Sequence, residues 1–170
     1  MPAVPVAVPS PQPGADEAES RLLAESRLLG AALQQLRQRH DASQALHSLD
    51  DYQQKFPNGQ LIEEARAARI EALLQLDRRG EALTLLDKLE LSKLSRGELR
   101  VVRGELRATA GRCSEALSDF AAVDETQSTA ALGERALYGQ ASCLTSMGQR
   151  TRARTALSRA FAEREVEKHY

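Results

Sequence analysis

A short pattern that recurs four times, at nearly even spacing, restricts the fold of this chain more than any other feature. An alanine recurs at intervals of 37, 34 and 37 residues, as Ala45, Ala82, Ala116 and Ala153. A larger apolar residue follows four positions after each alanine, as Leu49, Leu86, Phe120 and Leu157. In three copies a turn-forming residue stands five positions before the alanine, as Asp77, Gly111 and Gly148. The alanine would let two helices approach closely, and the larger residue would fill the space between neighbouring helical pairs.

Residue usage favours helices over sheets. Alanine and leucine dominate after the first 15 residues, and β-branched aliphatic residues are scarce there: Ile62, Ile70, Val101, Val102, Val123 and Val166. Apolar residues at helical spacing predict a first helix from about Asp16 to His40 and a second helix that ends at the turn over residues 56–59. Continued to the end of the chain, this reading predicts an all-α protein of eight helices in four hairpins.

The pattern resembles the tetratricopeptide repeat over roughly residues 24–164. Segments 76–83 and 110–117 are similar to the central turn of such a repeat, and residues 41–57 resemble its second helix with the closing Pro57. The bulky aromatic residue usual in the first helix is replaced in all four copies, by Leu29, Arg66, Arg100 and Leu137. The resemblance implies a right-handed α-solenoid over residues 16–170, with repeats at about 24–57, 60–94, 97–126 and 130–164.

The first 15 residues are predicted to form a flexible linker, because five of the six prolines fall within positions 1–13 and no charged side chain does. This linker and the segment 50–59 are similar to divergent repeats of bacterial envelope proteins and anti-sigma-factor-like regulators. That resemblance implies the periplasmic or extracytoplasmic side of the envelope for an excised domain, and otherwise we expect the cytoplasm. We expect neither a signal peptide nor a bilayer-spanning segment, since no basic n-region and no apolar stretch of about 20 residues is present.

Sequence motifs for catalysis, cofactors or metals are missing: there is no phosphate-binding loop, no nucleophile elbow and no His-Glu-x-x-His. We therefore expect a non-catalytic protein without a cofactor. Cys113 is the best candidate for a reactive group, because Arg112 and a helix start would favour its thiolate. Cysteines in such a repeat are more typically buried and unreactive, and we expect this of Cys113 and Cys143. The sequence does not decide whether the two form a disulfide. A thiol-dependent enzyme is the less favoured alternative.

The resemblance implies that the first helix of each repeat lines a concave groove that binds a peptide or partner protein. The candidate groove residues are Arg27, Gln34, Glu64, Glu71, Glu98, Glu105, Arg135, Tyr138 and Ser142. A groove with acidic residues at its centre and arginines at its ends would favour a peptide with basic side chains at its middle. In the alternative interpretation, these charges form solvated ion pairs between adjacent helices.

Two further surfaces are candidate interaction sites: a row of arginines on one helix and the exposed side of the last helix. Arginines recur along one face of a predicted helix and need carboxylates on a neighbouring helix or on a ligand: Arg96, Arg100, Arg103 and Arg107. The final helix has no polar capping helix after it, so Leu157 and Phe161 are a candidate interface. Self-association through this end, as an oligomerisation module, is the alternative function. A net charge of −1 and only 4% aromatic residues argue against a nucleic-acid partner.

Overall fold

The computed structural model describes residues 13–89, 97–123 and 129–167. These residues form helices without any strand, which confirms the all-α class. The eight described helices are α1 (Pro13–Arg37), α2 (Ala42–Lys55), α3 (Ile62–Gln75), α4 (Arg79–Asp87), α5 (Gly97–Thr109), α6 (Cys113–Ala121), α7 (Ala130–Ser146) and α8 (Arg150–Glu167). The predicted linker lies mostly outside the described residues, as does Arg96, and α1 begins three residues before the predicted start at Asp16.

The chain divides into two compact units, residues 1–78 and 79–170. In the first unit, α1 packs against both α2 and α3, and α2 packs against α3. One buried cluster of this unit combines small and large apolar side chains, namely Leu29, Ala32, Leu49, Tyr52, Ala65 and Ala68. The alanines of this set bring the helix backbones close together, and the leucines and the tyrosine fill the remaining space.

The second unit contains α4 to α8. Helix α4 packs against α5, α5 packs against α6 and α7, and α7 packs against α6 and α8. Its core is built from Val101, Ala116, Phe120, Val123, Ala136 and Cys143. Among the described helices of both units, none carries an apolar segment of the length that a bilayer requires.

The repeated alanines occupy equivalent environments. All four are buried, and so are the larger residues that follow them in the first three copies, whereas Leu157 is partly exposed. The backbone enters the left-handed region five residues before each alanine, at His40, Asp77, Gly111 and Gly148. After each of the last three, the next amide donates to a carbonyl five residues back, which closes the preceding helix in a Schellman turn. The sequence predicts that the first helix ends near His40, but it does not predict the left-handed backbone at that residue.

Two glycines make room for the largest side chain in the core of the second unit. The Phe120 ring lies against Gly104 of α5 and Gly139 of α7. A β-carbon at Gly104 would fall 2.6 Å from the ring, and one at Gly139 would come closer still. The close packing of α5, α6 and α7 around this ring therefore depends on both positions lacking a side chain.

Candidate partner-binding surfaces

In the first unit, the candidate groove residues lie on two helices that touch, α1 and α3. Arg27, Gln34 and Glu64 are exposed. Glu71 instead accepts hydrogen bonds from Arg37, with 2.9 Å between Nη2 and the carboxylate. Both side chains remain substantially exposed, so this ion pair contributes little to stability. Arg37 also neutralises the negative charge that the sequence predicted for Glu71 in the groove.

In the second unit, the corresponding pair joins α5 to α7. Arg135 donates to Glu105 through Nε at 3.1 Å and Nη2 at 2.8 Å, a two-pronged geometry. The hydrogen bond to Glu105 raises the pKa of Arg135 above its ordinary value, and the nearby charge of Glu98 acts in the same direction. Glu98 itself is exposed. Here too a predicted acidic position faces an arginine on the adjacent helix.

Two residues that the sequence placed in separate candidate sites meet on the surface. Tyr138 of α7 and Phe161 of α8 form an edge-to-face pair with ring centroids 6.3 Å apart. Their exposed fractions are 37% and 54%, so this pair is open to solvent instead of filling a core. Tyr138 shares a face of α7 with Arg135 and Ser142, at spacings of three and four residues. The groove candidates and the terminal candidates of this unit thus form one continuous surface.

Of the arginines predicted along one helix face, which we call the arginine stripe, two bind carboxylates of neighbouring helices. Arg103 and Arg107 of α5 both bind Asp119 of α6, which is only 3% exposed. Arg107 also binds Asp87 at the end of α4. Arg100 is partly exposed on the same helix. Two of the four predicted stripe residues therefore hold α4, α5 and α6 together and are committed to that role.

Arg112 extends this network into the turn between α5 and α6. It binds Asp87 at 2.7 Å and also Glu115. Burial would raise the pKa of Asp87, but hydrogen bonds and charges from Arg112 and Arg107 outweigh it and lower that pKa. The hydrogen bond from Arg112 likewise lowers the pKa of Glu115. The buried Asp119 at the centre of this network was not predicted from the sequence.

A second buried carboxylate was also missed. Glu25 of α1 is 1% exposed and accepts hydrogen bonds from the Tyr52 hydroxyl at 2.9 Å and the Leu61 amide at 3.1 Å. Desolvation, followed by the hydrogen bond to Glu25, raises the pKa of Tyr52 to about 12. Gly59 passes so close that a β-carbon there would lie 2.6 Å from the tyrosine oxygen. This cluster fixes the turn over residues 56–61 against α1.

The two cysteines are joined by a disulfide, which settles a question that the sequence left open. Cys113 stands at the start of α6 and Cys143 in α7, with 5.2 Å between their α-carbons. Cys143 is buried and Cys113 partly exposed. Neither is a free thiol in this structure.

A cavity of about 190 Å³ lies where α6, α7 and α8 approach one another. Phe120, Val123, Ala136 and Leu137 supply apolar parts of its wall, and Gln140 and Arg159 supply polar groups. Within the described part of the chain, no three His, Cys, Asp or Glu side chains are grouped as metal ligands would be.

Comparison with known proteins adds no assignment. A scan against protein-family models and searches of curated proteins and solved structures find no match.

Proposed function

We propose that this chain is a non-catalytic scaffold of tetratricopeptide-like repeats that binds a peptide or partner protein. The observation that carries the proposal is the surface of the second unit on which Arg135, Tyr138 and Ser142 lie together with Phe161. Exposed aromatic and arginine side chains are enriched where proteins bind one another. Neighbouring aromatic rings that are both open to solvent are a typical feature of interaction surfaces.

The repeat interpretation is supported by the packing order within each unit. In the first unit α3 packs on α1 as well as on α2, and in the second α7 packs on α5 as well as on α6. When helical hairpins stack, each helix contacts the next helix but one along the chain. The four left-handed turns also recur at the same intervals as the four alanines. We propose on this basis that the hairpins stack as a right-handed α-solenoid whose first helices form the binding surface.

The disulfide supports an extracytoplasmic location. Disulfides persist in oxidising compartments such as the bacterial periplasm and are rare in the cytosol. The Cys113–Cys143 bond therefore agrees with the envelope resemblance of the sequence.

The proposal is tested by selecting a displayed library of random 12-residue peptides on the folded chain. We expect enriched peptides whose binding is weakened at least tenfold by Ser142→Arg, because the long charged side chain would obstruct the α7 surface. Ser118→Arg is the matched control, since Ser118 is also an exposed helical serine but belongs to α6. Loss of binding to the same extent in both variants, or no enriched peptide at all, would contradict the proposal.

Self-association is the second candidate function, and the exposed Phe161 favours it. We expect a sedimentation coefficient that rises with protein concentration for the parent chain and stays constant for a Leu157→Ser/Phe161→Ser variant. A parent chain that is monomeric at every concentration would exclude this candidate and leave the surface to a different partner.

A further inference from the structure

The first part of helix α8 is rich in arginine. Positions 150–162 hold four arginines and no acidic residue, and the three glutamates of the helix follow at 163, 165 and 167. Elsewhere in the second unit the described arginines of α5 and α7 mostly bind carboxylates, as Arg103, Arg107 and Arg135 do. Arg150 and Arg154 are exposed and bind no carboxylate among the described side chains.

The positions of these arginines align them with the exposed aromatic ring. Arg150, Arg154, Leu157 and Phe161 follow one another at intervals of four, three and four residues, which places them along one face of α8. The helix buries a different face, with Ala153, Ala156 and Ala160. We call the four exposed or partly exposed residues the α8 stripe. Its aromatic end continues into Tyr138 through the edge-to-face ring pair.

We propose that the α8 stripe, together with Tyr138, binds an acidic peptide segment that carries a large apolar side chain. The proposal rests on the binding function proposed above and specifies its partner. The apolar side chain packs on the two rings, and carboxylates of the same segment bind the two arginines. Charge complementarity favours this occupant, because the two exposed arginines of the stripe attract carboxylates, whereas a basic or neutral segment would leave them without partners.

The helix geometry sets the spacing that the partner must match. At 1.5 Å per residue, Phe161 lies about 10 Å along the helix from Arg154 and about 16 Å from Arg150. An extended peptide rises about 3.3 Å per residue, so its carboxylates would lie roughly three to five positions from the apolar residue. A peptide with an aromatic residue and acidic residues at this separation would therefore contact both ends of the stripe.

The test uses the peptides enriched on the parent chain, measured individually by fluorescence anisotropy. We expect them to combine Asp or Glu with a large apolar residue, and their Kd to rise at least tenfold with Arg154→Glu and with Phe161→Ser. The matched control is Arg152→Glu: Arg152 is an exposed arginine on the same helix, but it lies on the opposite side and donates to Gln149. It should change the Kd less than twofold.

Equal losses for Arg152→Glu and Arg154→Glu would overturn the proposal, because a general charge effect would then explain the binding. Enriched peptides that are neutral or basic would also overturn it. So would tighter binding of vesicles containing phosphatidylserine or of a single-stranded oligonucleotide than of every peptide. Peptides that respond to Ser142→Arg but not to the stripe variants would leave the proposed function standing and refute this inference. Circular dichroism and urea midpoints would establish that each variant is folded.

Discussion

Removal of the disulfide gives the clearest quantitative prediction for this structure. The bond joins Cys113 at the start of α6 to Cys143 in α7, across a sequence separation of 30 residues. Changing both residues to alanine removes the cross-link and leaves the surrounding ion pairs of α6 in place. Cys143 lies in the apolar core, where alanine is a tolerable replacement.

The expected loss follows from the closed loop in the unfolded chain. A loop of about 30 residues loses roughly 12 cal/mol/K of chain entropy when it is closed, which corresponds to about 3.6 kcal/mol at 25 °C. For a chain of this length, such a loss lowers the melting temperature by about 7 to 14 °C. The unfolded chain without the cross-link is also more expanded, so the denaturant slope should increase.

Equilibrium unfolding in urea, followed by circular dichroism, measures the free energy of unfolding and its slope with urea concentration. Each single variant, Cys113→Ala or Cys143→Ala, should cost nearly as much as the double variant, because either one abolishes the bond. A reducing agent should destabilise the parent chain by a similar amount and leave the double variant unchanged. A loss below about 1 kcal/mol in the double variant would refute the entropic reasoning, as would additive effects of the two single changes.

Buried side chains give three further expectations for the same assay. Gly139→Ala should destabilise the chain by about 1 to 3 kcal/mol, because the new β-carbon would overlap the Phe120 ring. As a control, Gly30→Ala should stabilise the chain by about 0.5 to 1 kcal/mol, because its β-carbon would meet open space in α1. Asp119→Asn should cost about 3 to 5 kcal/mol because it breaks a buried ion pair, whereas Arg135→Gln at an exposed pair should cost less than about 1 kcal/mol. The pKa of Tyr52 is raised from 10.0 to about 12, so its contribution is complete below pH 10 and falls by roughly 2 to 3 kcal/mol as the pH rises to 12. A Tyr52→Phe variant that loses stability just as steeply across this window would contradict that assignment.

The candidate site was only partly predictable. Tyr138 and Phe161 were both selected from the sequence as exposed or interface residues, yet nothing in their spacing of 23 residues indicates that the two rings touch. The arginines at 103 and 107 were recognised as needing partners, but Asp119 and Asp87 are distant in sequence from them. Ion-pair partners across helices depend on which faces pack together, and no local pattern records that choice.

The helical class and the recurrence of an alanine after each turn follow from the sequence itself. Apolar periodicity, the four alanines and the glycines at 111 and 148 act locally, through helix propensity, close approach and the left-handed turn that glycine adopts without strain. The same reasoning could not identify His40 as the fourth such turn, because a histidine adopts that backbone only where the surrounding contacts require it.

Tertiary structure alone decided which polar groups became buried and whether the two cysteines formed a disulfide. Glu25 and Asp119 resemble ordinary helical surface acids in sequence, and each is buried because several donors from other segments converge on it. Burial of a carboxylate is tolerable only when such donors compensate its lost hydration. That condition depends on the positions of donors in three dimensions, which local sequence does not encode.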